Sequence, residues 1–220
     1  MVHASLMESQ KNTVMAEDQF EFNILSMNAR GLNDRKKRRN LFRWVKKNKF
    51  DICFVQETYS TREVENIWRN EWGGEILFSH GSCHARRVMV LIKPGFDAKV
   101  TDSHSDNIGR LLMADMVIQD TKFELINIYA PNSEDNQINF YKHLGRQIRA
   151  KDLSDTHVLL GGDFNFIFDP EMDRKGGVPI NETRKRAEIL ACISDKRICP
   201  GDGYMESEKP KYQEIYLEES

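Results

Sequence analysis

Between Glu75 and Tyr129 the chain is built almost wholly from short strand-like runs, with helical patterns to either side. Glu75 to Ser79, Arg87 to Lys93, Leu111 to Gln119 and Lys122 to Tyr129 all carry β-branched or alternating apolar residues. The step from Val117 to Phe123 through Gln119-Asp120-Thr121 reads as a hairpin. Upstream, Phe22 to Asn28 reads as a strand ending in a turn at Arg30-Gly31. A helix from about Asp34 to Asn48 follows, with Leu41, Trp44 and Val45 on one face. Asp51 to Glu57 is a continuous apolar run, as expected of a strand covered on both faces. Ser60-Thr61-Arg62-Glu63 has the form of a capping box, with Val64, Ile67 and Trp68 expected to face inward behind it.

Downstream, a second long helix is expected from about Glu134 to Ala150, with Ile138, Tyr141, Leu144 and Ile148 at helical spacing. A strand at His157 to Leu160 then runs into Gly161-Gly162-Asp163-Phe164-Asn165, and a last helix is expected over roughly Glu182 to Ser194. This order predicts an α/β fold: a layered sandwich of two mixed β-sheets flanked by helices, not a doubly wound parallel sheet.

Composition sets few limits. At 220 residues, 40% hydrophobic and 30% charged, the chain suits one sizeable soluble domain. Its net charge of −2 means that nucleic-acid affinity must come from local basic patches. The four cysteines, Cys53, Cys83, Cys192 and Cys199, form no CxxC pair, which points to reduced thiols in an intracellular protein. No apolar run approaches the roughly 18 residues of a membrane span. Residues 1–19 lack the pattern of a secretory signal and read as a disordered leader.

Three of the strand runs end in polar residues: Asn28, then Glu57, then Asp163 with Asn165 beyond it. Carboxylate and amide oxygens at strand ends can converge on a hard divalent cation such as Mg²⁺. Such an ion steadies charge on a phosphate leaving group while a nearby carboxylate activates water. The segment Asn127-Ile128-Tyr129-Ala130-Pro131-Asn132 adds a phenol and an amide at another strand end. Taken singly, Asn28 and Glu57 read better as ordinary polar strand ends, and Asn127 to Asn132 as a Pro-Asn turn that starts a helix.

In order, the four segments are Asn28-Ala29-Arg30-Gly31-Leu32, Val55-Gln56-Glu57-Thr58, Asn127 to Asn132, and Gly161 to Asn165. Together they closely resemble the motif series of the endonuclease/exonuclease/phosphatase superfamily. The nearest subgroup is the apurinic-type endonuclease domain of non-LTR (LINE-type) retrotransposons, which Asn-Ala-Arg-Gly-Leu and Asp169 to Gly177 also resemble. The resemblance covers about Phe22 to Leu190. It implies a DNase I-like pair of packed sheets and a Mg²⁺-dependent cut in DNA, with Mn²⁺ able to stand in. It also implies that Asn28 and Glu57 bind the metal, that Tyr129 contacts the scissile phosphate and that Asn132 supports it. Asp163 would deprotonate the attacking water, Asn165 would hold phosphate and nucleophile, and Arg30 would stand at the site mouth.

The family pattern continues through a Thr-Trp strand and an Arg-Leu-Asp strand to a closing Ser-Asp-His. From Lys196 onward nothing matches these, and no His follows His157. The expectation is a partial domain over 20–195 with an incomplete second sheet, then a disordered tail over 196–220. An inactive fragment that binds a partner is then the alternative to a nicking enzyme. His84 is expected in a surface loop. Arg35 to Arg39 with Arg43, Lys46, Lys47 and Lys49 make one helix strongly basic, suited to DNA phosphates, to a solvated face or to a nuclear-import-like run. Trp44 and Trp68 are expected in the core. An active retroelement endonuclease of this kind would work in the nucleus; oligomeric state is not legible.

Overall fold

The computed structural model describes residues 12–15, 21–81 and 87–165. Among the described residues, nine strands lie in two sheets. The first contains β1 (Asn12–Met15), β2 (Glu21–Asn28), β3 (Ile52–Gln56), β4 (Glu75–Ser79) and β5 (Val88–Ile92), in the order β1-β2-β3-β5-β4. The second contains β6 (Lys99–Ser105), β7 (Leu111–Ile118), β8 (Thr121–Tyr129) and β9 (Thr156–Asp163), in sequence order. Each sheet is mixed. β2 runs parallel to β3 and β8 parallel to β9, while every other pairing is antiparallel.

The two parallel pairs dictate the helices. A parallel pair needs a long crossover, and the crossovers are α1 (Arg35–Lys47) between β2 and β3 and α3 (Glu134–Arg149) between β8 and β9. Asp34 caps α1 by accepting from the Lys37 backbone N–H at 2.7 Å. With α2 (Glu65–Trp72), α1 covers the outer face of the first sheet through Phe42, Val45, Trp68 and Trp72. α3 covers the second sheet through Tyr141, Leu144 and Ile148. Between the sheets lie Ile24, Phe54, Val90, Ala114, Leu125 and Leu159. The result is four layers, helix, sheet, sheet, helix, as the order of apolar runs predicts.

Several local expectations change. Asn12–Met15 falls inside the segment expected to be a leader, yet it pairs with β2, whose free edge offers unmet backbone hydrogen-bonding groups. β6 escapes a pattern-based reading because it is polar and largely exposed; it pairs at the edge with β7. Ser60 does not cap a helix: the 3-10 turn Arg62–Val64 starts from Thr61, and the Ser60 hydroxyl is engaged elsewhere. Ile67 is 54% exposed, whereas Trp68 carries the inward face. The hairpin is confirmed, with Gln119 and Asp120 both at positive φ as a two-residue turn requires. Cys53 is buried. The expectations for His84, for the helix near Glu182, for the completeness of the second sheet and for the tail lie outside the described residues.

Candidate active site

Register brings the strand ends together. Asn28 is opposite Gln56 in the β2–β3 pair, and Tyr129 is opposite Asp163 in the β8–β9 pair. Because both pairs are parallel and the two sheets pack on each other along them, all four carboxyl ends finish on one side of the molecule. Ligand sites of α/β sheets commonly form at such ends.

Two glycines set how closely the ends approach. Gly162 has φ +141, and a Cβ there would fall 2.1 Å from the Ile128 carbonyl oxygen. A Cβ on Gly161 would lie 2.5 Å from the Phe54 ring, which belongs to the opposite sheet. Gly161 therefore permits the close approach of the sheets, and Gly162 lets the end of β9 press against β8.

The side chains form one connected group. The Asn28 amide donates to Asp163 Oδ2 at 3.0 Å, and the Asn165 backbone N–H donates to Asp163 Oδ1 at 3.1 Å. The Tyr129 hydroxyl lies 3.1 Å from Glu57 Oε1 and 3.4 Å from Asn132 Oδ1. The Asn165 amide donates to the Ala130 carbonyl at 2.8 Å. Asn28 Oδ1 accepts the Arg30 backbone N–H at 3.0 Å. Six of the seven residues singled out by sequence thus meet here. The seventh, Arg30, contributes backbone only, its guanidinium being exposed.

Backbone strain concentrates at the same place. Arg30, Glu57, Tyr59 and Asn165 have φ between +47 and +54, a region that costs non-glycine residues energy and tends to persist at functional sites. Hydrogen bonds over-determine these turns. Gly31 N–H donates to the Glu57 carbonyl, Leu32 N–H to the Thr58 carbonyl and Thr58 N–H to the Arg87 carbonyl.

A further set of residues supports the group, and no local motif flagged them. Gln56 and Asn127, both buried, link the sheets: the Gln56 amide donates to Asn127 Oδ1 at 2.9 Å, and the Asn127 amide donates to the Met89 carbonyl at 2.8 Å. From α3, Gln137 donates to the Asn165 carbonyl at 2.5 Å and the Tyr141 hydroxyl to the Phe164 carbonyl at 2.7 Å. Burial pushes the Tyr141 phenol up, and the Asp163 charge adds to this, so it remains a donor. Arg110 lies over the Tyr129 ring at 5.1 Å and donates to the Tyr129 carbonyl at 3.1 Å. Gln56 and Asn127 do sit inside motif segments, and a polar residue within an otherwise apolar strand was the available signal.

Among the described residues, no three or more His, Cys, Asp or Glu side chains gather as a metal cluster. What the site offers is oxygen donors, Glu57 and Asn28, with Asp163 adjacent. That sparse set suits Mg²⁺ rather than zinc, since Mg²⁺ keeps several waters and takes one or two carboxylates.

The model of the Endonuclease/Exonuclease/phosphatase family matches residues 20–178. The chain belongs to the endonuclease/exonuclease/phosphatase family. Within the family's spread, one relative is the "Transposon TX1 uncharacterized 149 kDa protein" of Xenopus laevis, 28% identical over 146 residues. That match takes in 66% of this chain but 11% of the relative, so this family member corresponds to a small part of the longer protein. Among solved structures, an AP endonuclease from Archaeoglobus fulgidus aligns with TM-score 0.60 and 20% identity, over 77% of this chain and 70% of that one. The catalytic domain of Xenopus laevis APE2 aligns with TM-score 0.61 and 17% identity, over 79% and 68%. D. rerio TDP2 complexed with single strand DNA product aligns with TM-score 0.52 and 20% identity, over 69% and 63%. At such identities the likeness establishes the DNase I-like fold.

Proposed function

We propose that this chain is a Mg²⁺-dependent endonuclease domain of non-LTR retrotransposon type that nicks DNA. The observation that carries this reading is the bond between Asn28 and Asp163, which ties the ends of two parallel strand pairs into one polar group. The family membership and the likeness to a transposon protein support it. So does the DNA product present in the TDP2 structure of similar fold.

In this reading Glu57 and Asn28 would hold the ion, which would supply positive charge to offset the developing alkoxide. Asp163 takes a proton from water, its two oxygens fixed by Asn28 and by the Asn165 N–H. The water oxygen attacks phosphorus in line, the bond from phosphorus to the 3′ oxygen breaks, the departing 3′ oxygen takes a proton from solvent water, and the products are a 3′-hydroxyl and a 5′-phosphate. Tyr129, Asn132 and Asn165 donate to the equatorial phosphate oxygens, and Arg30 stands at the mouth. The site of action is nuclear.

DNA also suits the basic face of α1. Lys36, Arg39, Arg43 and Lys47 recur at helical spacing on its exposed side, and the first three line an open groove with Asp34, Arg35 and Asn40. Other basic residues of this helix are structural. Arg38 is buried against Glu71 at 2.7 Å, and Lys46 donates to the Trp72 carbonyl. The exposed stripe starts beside the site and can follow a phosphate backbone.

A supercoiled-plasmid assay decides the matter. Nicking that requires Mg²⁺ or Mn²⁺, stops with EDTA and is lost in Asp163→Ala is the expected result. Folded protein that binds DNA but leaves the plasmid supercoiled overturns the enzyme reading and leaves a binding protein.

A further inference from the structure

Behind the Glu57 carboxylate runs a chain of side chains that the proposed reaction does not use. Thr58 and Ser60 are both 0% exposed, and they alternate with Glu57 and Tyr59, whose φ values are +52 and +54. The Thr58 hydroxyl donates to the Arg87 carbonyl at 3.2 Å, accepts the Ser60 N–H at 3.3 Å and lies 3.1 Å from the Ser60 hydroxyl. Ser60 Oγ lies 3.2 Å from His80 Nδ1, and Glu65 Oε1 accepts from His80 Nε2 at 2.6 Å.

The outer end of this chain is anchored. Glu65 Oε2 accepts from Arg69 Nη2 at 3.2 Å, and Arg69 also donates to the Ile76 carbonyl at 2.6 Å. His80 stacks on Phe78 with centroids 5.1 Å apart, and Arg69 lies over the other partner of that stack, Phe78, at 5.2 Å. The series Ser60, His80, Glu65 has the composition of a nucleophilic triad, but Ser60 is sealed from any substrate. A network of this kind orients its neighbours instead.

We propose that His80 is a positioning residue for the Glu57 carboxylate, acting through Ser60 and Thr58. Resting on the reading of Glu57 as the metal-binding carboxylate, this makes the network a determinant of divalent-cation affinity. A left-handed turn at Glu57 and Tyr59 persists only when its surroundings over-determine it. The backbone bonds from Gly31, Leu32 and Thr58 hold one side of that turn. The hydroxyls of Thr58 and Ser60, aligned by His80, hold the other. Outer partners that orient a metal-binding side chain typically contribute 10–100-fold to affinity.

The test measures Mn²⁺ binding to the purified full chain from the electron paramagnetic resonance signal of free Mn²⁺, without turnover. His80→Phe keeps the stack on Phe78 and removes both ring nitrogens; Ser60→Ala removes one buried hydroxyl. Each is expected to weaken Mn²⁺ binding by about 10–100-fold. Glu65→Gln, whose amide oxygen still accepts from His80, is expected to stay close to the wild type. Phe78→Leu is the packing control, expected to lower Tm while leaving Mn²⁺ affinity in place. Wild-type affinity in His80→Phe and Ser60→Ala overturns the proposal. So does a loss in Phe78→Leu equal to that in His80→Phe, which would make the effect one of packing. If His80→Phe fails to fold, Ser60→Ala carries the same comparison. A wild-type chain that binds no Mn²⁺ removes the metal reading of Glu57 itself, a result distinct from unchanged affinity in the variants.

Discussion

The Asn28 side-chain amide donates to Asp163 Oδ2 at 3.0 Å, joining residues 135 apart in sequence and in different sheets. The other Asp163 oxygen accepts the Asn165 N–H. A carboxylate held at both oxygens keeps one orientation. A fixed orientation toward the attacking water is what the role proposed for Asp163 requires. The same bond places Asn28 between the base and the Glu57 side of the site, so one residue sets the spacing of both.

Asp163→Asn preserves shape and removes the carboxylate proposed as the base. Plasmid nicking is expected to fall by at least about 10³-fold, within the range for a lost general base, with Tm close to wild type. Asn28→Ala is expected to cost about 10²-fold, because Asp163 is retained but loses a donor and the proposed metal site loses one of its two oxygen ligands. Rates from a nicking time course, paired with thermal melts, check both. Equal rates in wild type and Asp163→Asn would remove the residue from catalysis.

Arg110 restrains Tyr129 from its ring face and its carbonyl at once. A stacked cation is worth about 0.5–2 kcal/mol, so losing it should move Tyr129 without unfolding the chain. Arg110→Met, which keeps much of the length and loses the charge, is expected to slow nicking about tenfold, since 1.4 kcal/mol is one decade. Arg110→Lys should recover part of it, lacking the planar guanidinium that stacks. An Arg110→Met rate equal to wild type would show that the stack has no bearing on Tyr129.

The pattern of the fold was legible where the chain repeats one physical signal, and illegible where it does not. β3 is a continuous apolar run and β8 carries β-branched and alternating apolar residues, and both were readable as strands. β6, with the sequence Lys-Val-Thr-Asp-Ser-His-Ser, carries no such signal; only its pairing with β7 makes it a strand. The site residues were readable because four motif segments occur in order, several of them where a strand run ends. Arg110, Gln137, Tyr141 and His80 were not, because each acts on a partner in another element. Ser60 shows the failure most directly: the capping-box pattern is present, but burial beside Thr58 and His80 takes its hydroxyl away from the helix.

Gln56 and Asn127 tie the sheets together just beneath the site, in surroundings without solvent. Gln56→Leu leaves Asn127 Oδ1 without its 2.9 Å donor, and an orphaned buried acceptor costs about 1–3 kcal/mol. Denaturant midpoints should shift accordingly. The double variant Gln56→Leu with Asn127→Leu is expected to lose less than the two single losses combined, because neither amide of the pair is left without the other. Strict additivity would mean that the pair is not coupled.

Another buried polar group stands at the far end of the second sheet. Asp115 and Glu124 are cross-strand partners on β7 and β8, and Lys151 donates to both, at 2.9 Å and 2.5 Å. Glu124 is wholly buried, and burial, reinforced by Asp115, raises its carboxyl to about 8. Asp115 is lowered, chiefly by the hydrogen bond from Glu124 and further by Lys151. For Glu124 the folded value lies above the unfolded value of 4.5. Below about 4.5 both states hold the proton and pH has no effect through this group. Between there and about 8 the unfolded chain has released a proton that the folded chain keeps. Stability therefore falls with rising pH across that window, by up to about 1.4 kcal/mol per unit. Asp115 has the opposite sign, its contribution being present above its unfolded value of 3.8 and lost as pH falls below it. Glu124→Gln keeps a donor for Asp115 and an acceptor for Lys151 without a proton to lose. Its Tm should match wild type near pH 5 and exceed it near pH 8, flattening the profile between; parallel Tm profiles for the two proteins would assign the slope to another group.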